Sequence, residues 1–379
     1  MPELPEVEAV VRTLRPLVQG RKIRCVHVLH PIATKPQDPA QVARQAQGRR
    51  IRIVDRQGKY VLLVLDRGLL TMHFRLDGQL LWFSNGQELR ERANQGENGV
   101  HVDVALELDK GVLGFADRRH FGHLHLWKSV DDCPGLNALG IDALSRDFTP
   151  HCFAALLSAS KRPLKDFLLD QSRVAGIGNI YSCESLWQAR LDPRRRANTL
   201  KPREARRLHK AIVSVLACAL ECCLHPAPNF RDPEWWFEGL ERFLRAYGRE
   251  GRSCRRCGEP IRRMAQGGRS TYWCRRCQEW AHQRIRTDRV NTPATKKPEL
   301  QKKPDFERSL ARLEEVVRRL ESPQLSLDDA MKLFEEGVAL SRECQKQLEE
   351  AEGRVEILLK RADGKLAAEP FDPERETES

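Results

Sequence analysis

The sequence contains no run of 18 apolar residues, so no segment is expected to cross a bilayer as a helix. It also lacks a basic, apolar leader. The chain opens Met-Pro-Glu-Leu-Pro-Glu, acidic where an export signal carries positive charge, and export is not expected. No internal repeat is evident. Aromatic residues are sparse at 6%, beside 40% hydrophobic and 31% charged residues, the balance of a soluble globular protein. A disulfide framework is missing too: of twelve cysteines, eight are scattered. Without an export signal this points to a reducing cytoplasm.

What is present is length and uneven charge. At 379 residues the chain exceeds one ordinary core, and two to four domains are expected. From Asp305 to Ser379 there are 12 Lys+Arg against 20 Asp+Glu, whereas the preceding 304 residues carry 53 against 33. A basic body suggests a polyanion partner held through phosphates; a merely soluble basic surface is the plain alternative. The acidic end must serve something else.

Leu4, Val7, Val10, Val11, Leu14 and Leu17 form a helical stripe ended by Gly20. From Lys22 to about Trp127, short β-rich runs (Tyr60–Leu65, Leu69–His73, Val102–Leu108, Leu124–Trp127) alternate with Gly, Asp and Asn turns, which suits a sandwich of antiparallel strands. A connector follows at Asp131–Gly140. Residues 150–250 turn to helical periodicity, with Gly176-Ile177-Gly178 separating two helices. Residues 251–282 are rich in Arg and Cys, and 283–304 reads as a flexible basic linker. Beyond it, Phe306, Leu310, Leu313, Val317 and Leu320 repeat at four-three spacing. After a break at Ser322-Pro323, a second seam runs through Phe334, Leu348, Ala351, Val355 and Leu358. The expected form is an all-α helical hairpin with coiled-coil character.

Two constellations carry chemistry. Removal of Met1 exposes Pro2 as a terminal secondary amine, uncharged in a useful fraction because α-amino groups titrate near ~8. Such an amine attacking a sugar C1′ gives an iminium ion. Glu3, one peptide away, is suited to protonate the opening ring oxygen, and Glu6 lies one helical turn on. Equally, Pro2 and Pro5 read as helix-start residues, with Glu3 and Glu6 complementing the helix dipole. The second constellation is Cys254-Arg-Arg-Cys257 followed after 16 residues by Cys274-Arg-Arg-Cys277. Four thiolates at this spacing point to one structural Zn²⁺ with no open position. Between the pairs, Gly267-Gly268-Arg269-Ser270-Thr271-Tyr272 reads as the turn and strand of a β-hairpin presenting Arg269.

Met1-Pro-Glu-Leu-Pro-Glu-Val-Glu8, Gly176-Ile-Gly-Asn-Ile-Tyr181 and the closing cysteine pairs occur in that order. Residues 1 to about 280 thereby resemble the formamidopyrimidine-DNA glycosylase family. The resemblance implies a multidomain α+β protein. It comprises a catalytic β-sandwich with flanking helices (1–130), a helix–two-turn–helix domain (131–250) and a zinc finger (251–282), with damaged duplex DNA in the cleft. It also implies a monomeric base-excision-repair enzyme, acting in the cytoplasm on the nucleoid, that removes oxidised purines and cleaves the abasic site by β,δ-elimination. Pro2 is then the nucleophile, Glu3 the acid/base partner, Glu6 a supporting carboxylate and Lys59 a hairpin lysine assisting catalysis. Asn179, Arg269 and His73 contact phosphates. Leu76, where the family has methionine, and the pair Arg119 and Phe121 fill the vacated stack, as an enzyme that extrudes a base requires. Read singly, Lys59 is a solvated strand lysine, Leu76 a buried core residue and Phe121 a sandwich core aromatic. The segment Pro226–Glu238, with Trp235 and Trp236, departs from the family's Gly- and Ser-containing loop.

From about Asp305 to Glu374, with Phe334-Glu-Glu-Gly337-Val and Ala351-Glu-x-Arg354-Val, the chain resembles the small subunit of exodeoxyribonuclease VII. That resemblance implies a module (305–375) without an active site, binding the large subunit of that nuclease. An autonomous coiled coil used for dimerisation is the alternative.

Overall fold

The computed structural model describes residues 2–93, 101–225, 229–230, 240–278, 312, 314–316, 318–319, 329, 333, 336–338, 340, 356–360 and 366–370. Trp235, Trp236, the linker 283–304, Phe306, Leu310, Leu313, Val317, Leu320, Phe334, Leu348, Ala351 and Val355 lie outside them. The chain divides into two compact units, Met1–Asn291 and Thr292–Ser379.

The first unit opens with helix α1 (Leu4–Val18). Its apolar stripe is buried, with Val18 deeper than the expected Leu17, and Gly20 at φ +82° ends it. There follow β1 (Ile23–Val28), α2 (Pro39–Ala46), β2 (Ile51–Gln57), β3 (Tyr60–Leu65), β4 (Leu69–His73), β5 (Gln79–Phe83), α3 (Gly86–Ala93), β6 (Val104–Leu108), β7 (Val112–Ala116) and β8 (His123–Trp127). Two four-stranded sheets, ordered β1-β6-β7-β5 and β2-β3-β4-β8, pair antiparallel throughout. Val104, Leu106, Leu113 and Phe115 of the first sheet share a core with Val61, Leu63, Leu70 and Met72 of the second. Val7, Val10, Val11 and Leu14 of α1 close that core. Each such buried aliphatic contributes roughly 1.5–3 kcal/mol over its exposed state.

The connector holds a short helix α4 (Pro134–Asn137) and β9 (Ile141–Asp142). Next come α5 (Pro150–Ser158), α6 (Leu164–Leu169), β10 (Val174–Ala175), α7 (Asn179–Ala189), α8 (Pro202–Leu224) and α9 (Leu240–Phe243). Phe153, Phe167, Tyr181, Leu186, Leu208, Ile212 and Leu216 form a second core. Leu4, the first residue of α1, joins this core and not the sandwich. One helix thus packs into both cores, and the chain's start sits where they meet. The hairpin β11 (Ile261–Gln266) and β12 (Arg269–Cys274) completes the unit, with Gly267 and Gly268 at φ +57° and +71° in its two-residue turn.

In the second unit the described residues around 312–319 and 329–340 are helical. Val316 and Leu333 are buried, and Arg312 pairs with Glu336 at 2.8 Å, so the segments on either side of Ser322-Pro323 do face each other. The all-α expectation fails further on. Strands β13 (Glu356–Lys360) and β14 (Leu366–Pro370) form an antiparallel ribbon in which Leu358, expected on the helical seam, pairs with Ala368.

Candidate functional site

Helix α1 begins with Pro5 in its first turn, where a missing N–H costs nothing. Glu6 reaches back to accept the Glu3 N–H at 2.8 Å, holding the peptide that follows Pro2. Pro2 itself is half-exposed. The Glu3 carboxylate also reaches beyond its own helix. It accepts the backbone N–H groups of Gly178 (2.7 Å), Ile180 (2.8 Å) and Tyr181 (3.4 Å), the unpaired donors at the start of α7, where the helix dipole favours an anion. The Gly-Ile-Gly motif is what lets the chains approach. Gly176 adopts φ +98°, and a β-carbon there would fall 2.2 Å from Leu4 Cδ1. At Gly178 a β-carbon would fall 2.3 Å from Glu3 Cδ and 2.6 Å from Lys59 Nζ. Carboxylate and amine therefore crowd one point beside the start of the chain.

Lys59 occupies the two-residue turn between β2 and β3, with Gly58 at φ +57°. It is almost fully buried, which lowers its pKa; Glu3 opposes the drop, while Arg269 adds to it. The turn is fastened by Arg56, a residue that no sequence signal singled out. Its guanidinium bonds Asp142 at 2.5 and 3.0 Å, Glu8 at 2.9 Å and the Gly58 carbonyl at 2.8 Å. Asp142 also accepts the Gly58 N–H at 2.9 Å.

Glu6 is buried and receives the Tyr181 hydroxyl. Desolvation, then the neighbouring Glu3 charge, raises its pKa to about 7. Tyr181 was visible only as the end of the Gly176–Tyr181 motif; its partner lies 175 residues away.

The β11–β12 hairpin lies against α7. Asn179 Nδ2 donates to the Ser270 carbonyl at 3.1 Å, and Gln266 Nε2 to the Pro193 carbonyl at 3.2 Å. Arg269 follows the turn, is exposed, and lies close enough to act on the charge of Lys59. Asn179, Arg269, Lys59 and Glu3 are thus brought together from four separate stretches of chain.

His73 pairs with His123 across β4 and β8, and this register sets the loops 74–78 and 117–122 at the same end of the sheet. Asp77 and Arg119 join them at 2.5 Å. Leu76 is 40% and Phe121 57% exposed, so neither is a core residue. Burial, with Arg75, His123 and Lys59 nearby, drives the His73 pKa down to about 2. Its Nδ1 accepts the Arg75 N–H at 3.1 Å, so the neutral ring carries its proton on Nε2.

The four cysteine sulfurs lie within 4.8 Å of one another, with Cys257–Cys274 at 3.4 Å and Cys254–Cys277 at 4.0 Å. Zinc–thiolate bonds of about 2.3 Å in a tetrahedron require sulfurs about 3.8 Å apart, so the donor set fits and holds one structural zinc. Trp187 Nε1 donates to Cys254 Sγ at 3.4 Å, and Gln278 Nε2 to the Leu191 carbonyl at 2.9 Å. Both lock the metal knuckles to the end of α7.

Comparison with known proteins agrees with this geometry. Residues 1–124 match the formamidopyrimidine-DNA glycosylase N-terminal domain, 139–224 its H2TH domain, and 253–279 the zinc finger found in that enzyme and in isoleucyl-tRNA synthetase. Residues 306–357 match the exonuclease VII small subunit. Formamidopyrimidine-DNA glycosylase of Symbiobacterium thermophilum is 40% identical over 281 residues, 73% of this chain and 89% of the relative. That of Pelotomaculum thermopropionicum is 38% identical over 283 residues, 74% of this chain and 99% of the relative. Among solved structures, the Lactococcus lactis enzyme with DNA containing an abasic site superposes with a TM-score of 0.65 at 28% identity, covering 74% of this chain and all of that one. The same enzyme bound to DNA containing N7-benzyl-Fapy-dG gives 0.65 at 29%, again covering 74% and 100%.

Proposed function

The chain belongs to the formamidopyrimidine-DNA glycosylase family, and on that premise we propose that residues 1–280 excise oxidised purines from duplex DNA and then cleave the abasic site. The Pro2 nitrogen attacks C1′ of the extruded nucleotide. The C1′–N bond breaks with its electron pair leaving on the base, and the sugar ring opens to an iminium. Glu3 takes the proton that Pro2 releases and passes it to the ring oxygen. Loss of a C2′ proton then expels the 3′ phosphate, and a second elimination expels the 5′ phosphate. Lys59, kept buried beside Glu3, steadies the developing charge, while His73, Asn179 and Arg269 hold phosphates. Leu76, Arg119 and Phe121 enter the vacated stack. A duplex substrate makes the nucleoid the site of action.

The observation that carries this reading is the convergence of Glu3 and Lys59 on the N-terminus of α7, beside the residue that becomes the amino terminus. Borohydride should trap a protein–DNA adduct on duplex containing formamidopyrimidine or 8-oxoguanine. Pro2→Gly should lose the adduct, and Glu3→Gln should bind but not excise. No adduct overturns the reading in favour of a silent damage binder, and equal trapping by Pro2→Gly overturns Pro2 as the nucleophile.

Residues 305–375 serve, on the same reading, as a docking module for a large nuclease subunit of the exodeoxyribonuclease VII type. The match over 306–357 and the Arg312–Glu336 pair support it. Co-purification of such a subunit with the full chain, lost on truncation at Thr292, is the expected result; self-association alone would favour the dimerisation alternative.

A further inference from the structure

A second group of metal-ligating side chains lies in the sandwich, apart from the chemistry above. Asp103, just before β6, is 1% exposed. Its Oδ1 lies 3.1 Å from His101 Nε2 and 3.0 Å from His120 Nδ1. Its Oδ2 accepts the Asp117 N–H at 2.7 Å. His30 closes the group, its ring 4.6 Å from that of His101 and 5.2 Å from that of His120. A nitrogen of His30, an oxygen of Asp103 and a nitrogen of His120 all fall within 4.8 Å of one another. We propose that His30, His101, Asp103 and His120 form a second metal site, separate from the four cysteines, for a borderline divalent transition ion such as Zn²⁺ or Co²⁺.

Three arguments carry this. The converging donors are two imidazoles and one carboxylate, with the His101 imidazole beside them on Asp103 Oδ1, which suits Zn²⁺, Co²⁺, Ni²⁺ or Cu²⁺ and not the oxygen-seeking Mg²⁺ or Ca²⁺. The frame is preorganised: the Asp103 carbonyl accepts the N–H groups of Leu29 (2.8 Å) and His30 (3.1 Å), and its N–H bonds the Phe115 carbonyl at 2.8 Å. His120 is held at φ +55° with its N–H on the Asp117 carbonyl at 3.1 Å. Third, the Asp117 N–H engages Oδ2 only, so Oδ1 faces the rings, the outer-shell arrangement that orients a ligating carboxylate. His120 lies between Arg119 and Phe121, and Asp117 also binds the N–H groups of Arg119 (2.9 Å) and Gly122 (2.5 Å). An ion here pins the backbone of the loop that presents Phe121.

The full chain, equilibrated with micromolar zinc and desalted, should carry two zinc ions by elemental analysis. His30→Gln/His120→Gln should carry one, with an unchanged melting temperature in chelator. His101→Gln serves as the second variant should that pair fail to fold. Cobalt added to protein whose cysteine site is already zinc-filled should give ligand-field absorption without sulfur-to-cobalt charge transfer, lost in the same variants. Amide exchange across 117–122 should slow when the ion binds. One zinc per chain in the unaltered protein, a second ion bound only at millimolar zinc, or a second ion that survives the substitutions would each overturn the proposal and leave Asp103 as a hydrogen-bond acceptor for His101 and His120.

Discussion

The carboxylate of Glu3 accepts the backbone N–H of Gly178 at 2.7 Å, across 175 residues of sequence. This one bond ties the chain's start to the first turn of α7 and sets the acid beside Lys59. Because Gly178 has no side chain, the two charged groups share the space its β-carbon would fill. Gly178→Ala should therefore cut single-turnover base excision by about 100-fold, the scale of a misplacement near 1 Å. The fold should survive, since Glu3 and Lys59 can swing aside. Rapid-quench kinetics beside circular dichroism would check it, and an excision rate within threefold of the parent would refute it.

Glu6 holds its proton to about pH 7 when folded, against about 4.5 when free. The folded state thus binds a proton that the unfolded state has lost, so stability falls as pH rises from about 4.5 to about 7 and levels off above. Glu6→Gln removes the ionisation and can keep its partner, because the Tyr181 hydroxyl can reverse from donor to acceptor. The variant should gain up to about 3 kcal/mol on the parent across that window, at ~1.4 kcal/mol per pKa unit. Denaturant titrations at pH 5, 6, 7 and 8 read this directly, and parallel pH profiles would count against it.

The residues proposed to hold phosphates should separate by charge. Arg269 is an exposed cation, so Arg269→Ala should flatten the slope of log affinity against log salt by about 0.9 for damaged duplex. His73 is neutral through the physiological range, its pKa pushed down to about 2. His73→Ala should weaken binding yet leave the slope unchanged, because a neutral donor displaces no counterion. Binding isotherms from 50 to 300 mM salt, about the span over which such slopes are read, distinguish the two. A slope change for His73→Ala would mean that the ring is charged in the complex.

Leu76 and Phe121 are 40% and 57% exposed on the loops joined by Asp77 and Arg119. Leu76→Ala and Phe121→Ala should each lower the melting temperature by less than about 2 °C, as surface substitutions do. Affinity for a duplex with an abasic site should nevertheless drop about tenfold or more, the value of one lost apolar contact of 1.4 kcal/mol. Core residues would give the opposite pattern: a large loss of stability with binding intact once folded.

Much of this was legible in the order of residues. The α1 stripe, the runs Tyr60–Leu65 and Leu69–His73, and the zinc ligands were readable because each depends on spacing along the chain: 3.6 residues for a helix face, two for a strand, Cys-x-x-Cys for a metal knuckle. Two readings needed revision. Leu17 yields the deep position to Val18, and Leu358 leaves the helical seam to pair with Ala368 in an antiparallel ribbon.

Sequence alone thus determined most of the elements of the first unit and the metal ligands, and it singled out Pro2, Glu3 and Lys59 as candidates. Tertiary structure decided which groups meet. That Glu3 reaches across to cap α7, that Glu6 faces Tyr181, that Arg56 and Asp142 fasten the Lys59 turn, and that Leu76 and Phe121 face outward are all long-range facts. Burial and dielectric environment, which set whether a carboxyl keeps its proton or a leucine leaves the core, arise from residues far apart in the chain. No local pattern encodes them, and only the packed fold brings them into contact.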